Sequence, residues 1–226
     1  LDRYALEAAL SIRGTHGGKV IVVSMGPPQA KENLVETLAL GADEAIHLCD
    51  MAFAGADTLA TAHTLAAAIR RIGDVDLVFC GSHSTDGSSS QVGPQLAEAL
   101  GFVHVVQTRS IELQGRQAIV QSVLDNQRLT VQMELPALFT MAKGANPPRR
   151  VSLLGIVAAR KKPLLTWGLS DLGLSPSEAG AAASPTSIAD IIPVKYARTC
   201  DYLDGSCQEM VEVLVSRLRG LGVLKA

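Results

Sequence analysis

Short β-rich apolar runs alternate with stretches of helical period from residue 19 to residue 101, and this alternation most constrains the fold. The runs are 19–24 (KVIVVS), 45–49 and 76–80 (DLVFC), with predicted helices at 27–40, 57–72 and 88–100. Pro27 and Pro28 suit the first turn of a helix, where the missing N–H costs nothing, and Gly41 suits its stop. Asp57 is the expected cap of the next helix, whose Leu59, Ala62, Leu65, Ala66 and Ile69 share one face. Strands apolar on both faces, with helices between them, imply an α/β fold: an open, mainly parallel sheet with helices on both faces.

After Gly101 the pattern changes. Residues 103–113, 117–124 and 127–134 read as successive strands, turned at Gly115-Arg116 and Asp125-Asn126. A further short strand is expected at 137–141, and Asn146-Pro147-Pro148 then breaks regular structure. This pattern adds antiparallel strands to the parallel sheet. Residues 143–162 carry six bases (Lys143, Arg149, Arg150, Arg160, Lys161 and Lys162) and no acid. On charge alone, a solvated basic face and a contact surface for an acidic partner both fit. Residues 168–205, rich in Gly, Ala, Ser and Pro, read as an extended C-terminal arm, most clearly at 180–185. Residues 208–218 close the chain as an amphipathic helix, with Met210, Val211, Leu214, Val215 and Leu218 on one side. The expected division is an α/β domain at 1–165 and an arm with its closing helix at 166–226.

Residues 1–13 already have helical period, with Asp2 a plausible cap. So apolar a helix ordinarily follows a strand in an alternating chain, so a first strand is expected upstream and missing. No signal-peptide pattern opens the sequence. Cys49, Cys80, Cys200 and Cys207 form no CxxC pair, which points to reduced, buried thiols and a cytoplasmic protein. With 47% hydrophobic but only 4% aromatic residues, the core must be aliphatic. A net charge of −2 and few aromatics exclude nucleic acid as a partner class. No apolar run reaches the ~18 residues of a membrane span.

The segment 81–94, GSHSTDGSSSQVGP, carries the most chemistry. It joins a buried strand to a helix N-terminus, the place where open parallel sheets bind ligands and where free N–H groups meet a phosphate. Serine hydroxyls add donors, and Gly81 and Gly87 admit close backbone approach. A polar loop whose serines only cap the helix fits the same residues. The turn SMGPP at 24–28 occupies an equivalent strand-to-helix position. GxGxxG, the P-loop and GxSxG are all absent, so a stand-alone nicotinamide dehydrogenase is disfavoured. The scattered histidines give no metal-ligand spacing, and Asp86 alone makes no acid/base pair.

In this order and spacing, several segments resemble the beta (small) subunit of electron transfer flavoprotein. YALEAAL at 4–10 resembles that family's opening helix, and VVSMGP at 22–27 its nucleotide-contacting turn. LALGAD at 38–43 is similar to its LAMGAD, and 81–94 followed by QLAE resembles its nucleotide loop. Leu135-Pro136-Ala137 is similar to its LPA strand, 146–153 resembles its recognition loop, and 158–163 its AxxKKP stretch. Asp86-Gly87 with QVGP at 91–94, and Ser184-Pro185-Thr186, resemble the electron-bifurcating group. Ser88-Ser89-Ser90 stand where that group has an acid and Thr, and His83 where Gln is usual.

The resemblance implies an adenine-nucleotide alpha-hydrolase-like fold and a heterodimer with an alpha subunit that holds redox-active FAD. It implies an electron-transfer subunit rather than a stand-alone enzyme. Its own nucleotide would be FAD in a bifurcating protein, with NADH as electron donor, or AMP in a simple carrier. The cofactor-binding residues implied are Met25, His83, Ser84, Thr85, Asp86, Gly87, Ser88, Ser89, Ser90, Gln91, Val92, Gly93 and Pro94. Arg149, Leu153 and Lys161 are implied as contacts to an acyl-CoA-type dehydrogenase, and the arm and closing helix as packing on the alpha subunit. A nucleotide-binding regulator of similar fold, without a redox role, is the alternative from another class. It would need neither the arm nor the 146–163 segment.

Overall fold

Caps and stops fix where most elements begin and end. The computed structural model describes residues 1–125, 127–190, 192 and 200–224. In chain order the first half comprises α1 (Asp2–His16), β1 (Ile21–Met25), α2 (Ala30–Leu40), β2 (Glu44–Leu48), α3 (Thr58–Ile72), β3 (Leu77–Gly81) and α4 (Val92–Leu100). There follow β4 (Val103–Gln114), β5 (Gln117–Leu124), β6 (Gln127–Glu134), β7 (Ala137–Met141), α5 (Leu153–Ala159), β8 (Leu164–Trp167), α6 (Gly180–Ala183) and α7 (Cys207–Gly220). Asp57 caps α3 as expected, its Oδ1 accepting from the N–H groups of Leu59 and Ala60 at 3.0 Å each. Asp2 is instead the first helical residue of α1, and Leu1 holds the cap position without a side-chain bond.

The strands form two hydrogen-bonded sheets. One has the order β1-β2-β8, all parallel; the other has the order β3-β7-β4-β5-β6. In the second, β3, β7 and β4 are parallel and β4, β5 and β6 antiparallel. The same helices cover both sheets. On one face, Ala5 and Ala8 of α1 pack with Ala137 and Phe139, while Leu10 of the same helix packs with Val20, Leu34 and Leu38. On the other, Ala62 and Ala66 of α3 pack with Leu138, while Ala68 packs with Ile46 and Leu48. The alternation of strand side chains between these faces requires that both be covered. Leu34 and Leu38 are 1% and 2% exposed; burying a leucine of this kind contributes about 1.5–3 kcal/mol.

The described chain divides into two compact units, Leu1–Ser187 and Ile188–Ala226. The boundary expected at 165/166 falls inside β8, a strand the sequence reading overlooked, which pairs with β2 through Leu164–Trp167. Residues 168–187 belong to the first unit rather than to a free arm. In the second unit α7 begins with a capping box, Ser206 N–H donating to Glu209 Oε2 at 2.8 Å. No residue of α7 is buried, and Val211, Val213 and Leu214 are exposed.

All four cysteines are free, but only Cys49 and Cys80 are partly buried; Cys200 and Cys207 are exposed, contrary to expectation. Burial pushes the Cys80 thiol up to about 12, with the Asp2 carboxylate adding to the effect.

Candidate functional site

Residues 83–91 are exposed without interruption, whereas Ser82 before them is buried. The buried hydroxyl of Ser82 lies 3.1 Å from His83 Nδ1, which ties the base of the loop to the strand. Ser88 and Ser90 take φ of 47° and 58°, in the left-handed region. Non-glycine residues there cannot continue a helix. This is why α4 starts at Val92 and not at Ser88, and why the serines are not its caps. Ser88 Oγ donates to the Ser84 carbonyl at 2.9 Å. The Ser84 hydroxyl and then the Gly87 N–H hold the Asp86 carboxyl below the usual carboxylate range.

Gln91 occupies the cap position of α4, and its side chain does not cap the helix. The N–H groups of half-buried Val92 and buried Gly93, in the first turn, thus have no side-chain cap, while Pro94 has no N–H to offer. Gln91 Oε1 accepts instead from the Thr58 hydroxyl at 3.0 Å, joining the loop to the start of α3. Gly93 is required by packing, since a Cβ there would lie 2.5 Å from Thr140 Cγ2 of β7. Two residues further on, Gln95 Oε1 is buried without a hydrogen-bond partner among the described residues. Gly81 is constrained from another side: a Cβ would meet the Asp2 carboxylate at 2.6 Å, so the start of α1 accounts for this glycine without a ligand.

Met25 ends β1, and the loop follows β3, a strand of the other sheet. The Met25 side chain packs inward beside Ile46, Leu48 and Phe53. The turn after it is fixed on both sides. Gly26 N–H donates to the Leu48 carbonyl at 3.1 Å, and His47 Nε2 donates to the Gly26 carbonyl at 3.0 Å. His47 is 2% exposed and is the satisfied strand histidine that its sequence context predicts.

A second exposed feature is chemically opposite. Ser152 caps α5 by accepting from Gly155 N–H at 3.0 Å. Leu153 and Leu154 are each 83% exposed, and Ile156 and Val157 are exposed beside them. Gly155 turns the other way, and a Cβ there would stand 2.3 Å from the Ala39 carbonyl of α2. Of the six bases, two are engaged internally. Arg149 grips Glu7 in a two-pronged pair, both contacts at 2.8 Å, and Lys162 donates to the carbonyls of Leu38 and Ala42 at the end of α2. The Arg149 guanidinium holds the Glu7 carboxyl below its usual range. Lys143, Arg150, Arg160 and Lys161 remain exposed. Sequence reasoning singled out Leu153 but missed Leu154, Ile156 and Val157, although LLGIV amid bases was the available signal. Thr58 had no such signal, because its partner lies 33 residues away.

Among the described residues no group of three or more His, Cys, Asp or Glu side chains is placed to hold a metal ion. Among them, too, no helix is long and apolar enough to cross a membrane.

Residues 1–172 match the electron transfer flavoprotein domain. The chain is 42% identical over 224 residues to the electron transfer flavoprotein subunit beta of Thermoanaerobacterium thermosaccharolyticum, covering 99% of this chain and 86% of that one. It is 45% identical over 188 residues to the caffeyl-CoA reductase-Etf complex subunit CarD of Acetobacterium woodii, covering 83% and 72%. It is 34% identical over 224 residues to the acryloyl-CoA reductase electron transfer subunit gamma of Anaerotignum propionicum, covering 96% and 84%. With a domain match over most of its length and relatives this similar across nearly all of it, the chain belongs to the electron transfer flavoprotein family.

Proposed function

We propose that this chain is the small subunit of a two-subunit electron carrier, binding a nucleotide on the 83–94 loop and docking redox partners through α5. The observation that carries the reading is the exposed, hydroxyl-rich loop running from the end of β3 into the start of α4, where no side chain caps the helix. The uncapped N–H groups of Val92 and Gly93, with hydroxyls of Ser84, Thr85, Ser89 and Ser90, suit the phosphates of a nucleotide. The orphaned acceptor at Gln95 also fits a ligand bearing donors. Met25, packed inward at the end of β1, backs the turn that follows that strand, and His83, Asp86, Gly87, Ser88 and Gln91 shape the loop.

FAD is the ligand in our reading, with AMP the ligand if the chain serves a simple carrier. A bound flavin supplies the redox chemistry; the chain supplies binding, orientation and the route of approach. NADH as donor and an acyl-CoA-type dehydrogenase as partner belong to the bifurcating version. Its support is Asp86-Gly87 with QVGP, together with a relative named as part of a caffeyl-CoA reductase-Etf complex. The proposed assembly pairs this chain with an alpha-type subunit that covers the exposed Val211, Val213 and Leu214 of α7. A non-redox regulator leaves the exposed Leu153, Leu154 and Val157 without purpose. Among the described residues β1 and β3 are edge strands of their two sheets, and both lie under the same two helices, α1 and α3. Four free cysteines accord with a cytoplasmic setting.

The test is co-expression with the large subunit, release of bound nucleotides and their chromatography. Two FAD per heterodimer is the predicted result. One FAD with one AMP identifies the simple carrier, and a complex whose only nucleotide is the large subunit's FAD contradicts the reading.

A further inference from the structure

Residues 180–187, read from sequence as part of a loose arm, are pinned at one point on the first unit. Ser184 Oγ accepts from the Asp57 N–H at 2.8 Å and donates to the Gly180 carbonyl at 2.8 Å. Thr186 returns two hydrogen bonds to Asp57 Oδ2, from its N–H at 3.1 Å and from its hydroxyl at 2.8 Å. Asp57 Oδ1 is meanwhile committed to capping α3. One carboxylate therefore serves two tasks, with its oxygens divided between the helix and the arm root. The next residue, Thr58, donates its hydroxyl to Gln91 Oε1 at 3.0 Å. Gln91 ends the exposed stretch 83–91 of the candidate nucleotide loop and stands at the head of α4.

We infer that Asp57 and Thr58 form a positioning junction that couples the seating of the arm root at Ser184–Thr186 to the conformation of the nucleotide loop. The geometry supports a mechanical link for three reasons. The contacts are short and bridge segments 127 and 129 residues apart in sequence, so local folding does not produce them. They converge on two consecutive residues at one rigid helix end. The loop they reach is held in left-handed conformations at Ser88 and Ser90, which persist only where surroundings enforce them. Releasing Thr186 frees the Asp57 carboxylate to swing, which loosens the first turn of α3 and the hold of Thr58 on Gln91. The junction thus gives whatever engages the arm beyond residue 187 a means of tightening the loop. This inference deepens the nucleotide reading and rests on it only for the binding half of its test.

The test uses the full chain and three substitutions. Asp57→Asn keeps an acceptor at the helix cap but presents an NH2 group where Oδ2 received Thr186. Thr58→Val removes only the hydroxyl that reaches Gln91, and the third variant combines both. Hydrogen exchange is read at the amides of residues 84–91, and AMP and FAD serve as binding probes. Each single variant is expected to speed loop exchange and weaken probe binding by about fivefold, the scale of one net hydrogen bond, and the double variant to exceed neither by more than about twofold. Independent, multiplying effects overturn the junction, as does unchanged loop exchange in Asp57→Asn. Binding of a probe by the wild type alongside multiplying effects leaves the nucleotide reading intact and removes the junction. Shared, non-multiplying effects on exchange without binding of either probe establish the junction and remove the nucleotide reading.

Discussion

The 83–94 loop, proposed to bind a nucleotide, and helix α5, proposed to dock a partner, are both exposed, yet they are built in opposite ways. The loop presents hydroxyls, backbone N–H groups and one carboxylate, and its apolar neighbours face inward. Helix α5 presents Leu153, Leu154, Ile156 and Val157 and turns only small residues, Gly155 and Ala159, toward the body of the protein. Each is held by a close approach behind it, Gly93 on Thr140 for the loop and Gly155 on Ala39 for the helix. The difference separates two kinds of recognition. Directional polar groups on a fixed loop suit a small anion, while an apolar patch rimmed by Arg150, Arg160 and Lys161 suits a protein that carries acidic groups. The anchor allows each surface to stay exposed without collapsing onto the core.

The strongest way to break the contrast is to remove the helix anchor. Gly155→Ala places a Cβ against the backbone carbonyl of Ala39, which cannot yield as a side chain can. The expected result is displacement of α5 and loss of electron transfer to the proposed partner dehydrogenase by about thirtyfold or more, the scale of losing a central apolar anchor. Stopped-flow measurement of transfer, with nucleotide content as control, checks it. Unchanged nucleotide content is part of the prediction.

The corresponding change behind the loop is Gly93→Ala, expected to cost about 1–3 kcal/mol of stability through overpacking. Its obstacle is the methyl of Thr140, so Thr140→Ser in the same chain should recover most of the loss. Serine keeps the hydroxyl that accepts from Gln107 N–H. Thermal unfolding of the single and double variants decides the matter; a double variant no more stable than Gly93→Ala refutes the assigned contact.

A smaller effect distinguishes bases held internally from bases available to a partner. The folded value of Glu7 lies below its ordinary 4.5, chiefly through its hydrogen bond to Arg149. Burial raises Asp43 from its ordinary 3.8, but the Val20 N–H and Arg13 outweigh it and leave the carboxyl lowered. Depressed folded values mean that these groups contribute fully above about 4.5 and lose their contribution as pH falls through the folded values. Melting temperature should therefore drop more steeply below that pH in the wild type than in Glu7→Gln. Parallel curves would show that the Arg149 pair adds nothing. The smallest change expected is from Arg150→Glu or Lys161→Glu, which should slow partner association by about threefold at low salt and less at high salt. A salt-independent effect in stopped-flow mixing would argue against steering.

The contrast also marks what the sequence made legible. The βα alternation, the Asp57 cap and the glycine stops are local signals, and the elements between residues 21 and 141 follow them closely. The start of α4 was misplaced because propensity does not register two serines in the left-handed region. Strand β8 was missed because LLTW is short and follows a basic run, and only its pairing with β2 makes it a strand. Exposure of Leu153 was expected, but the commitment of Arg149 to Glu7, 142 residues away, was not readable from charge spacing. The pinning of Thr186 on Asp57 was hidden for the same reason. Contacts between distant segments decide which polar residues are free to act, and a single sequence does not display them.

The central claim is that the two surfaces do different work. Its most direct test is one paired measurement on the complex of this chain with its large subunit: nucleotide content and electron-transfer rate for Leu153→Ala. The account predicts an unchanged nucleotide content with transfer slowed by about thirtyfold. Loss of the nucleotide, or transfer at the wild-type rate, would contradict it.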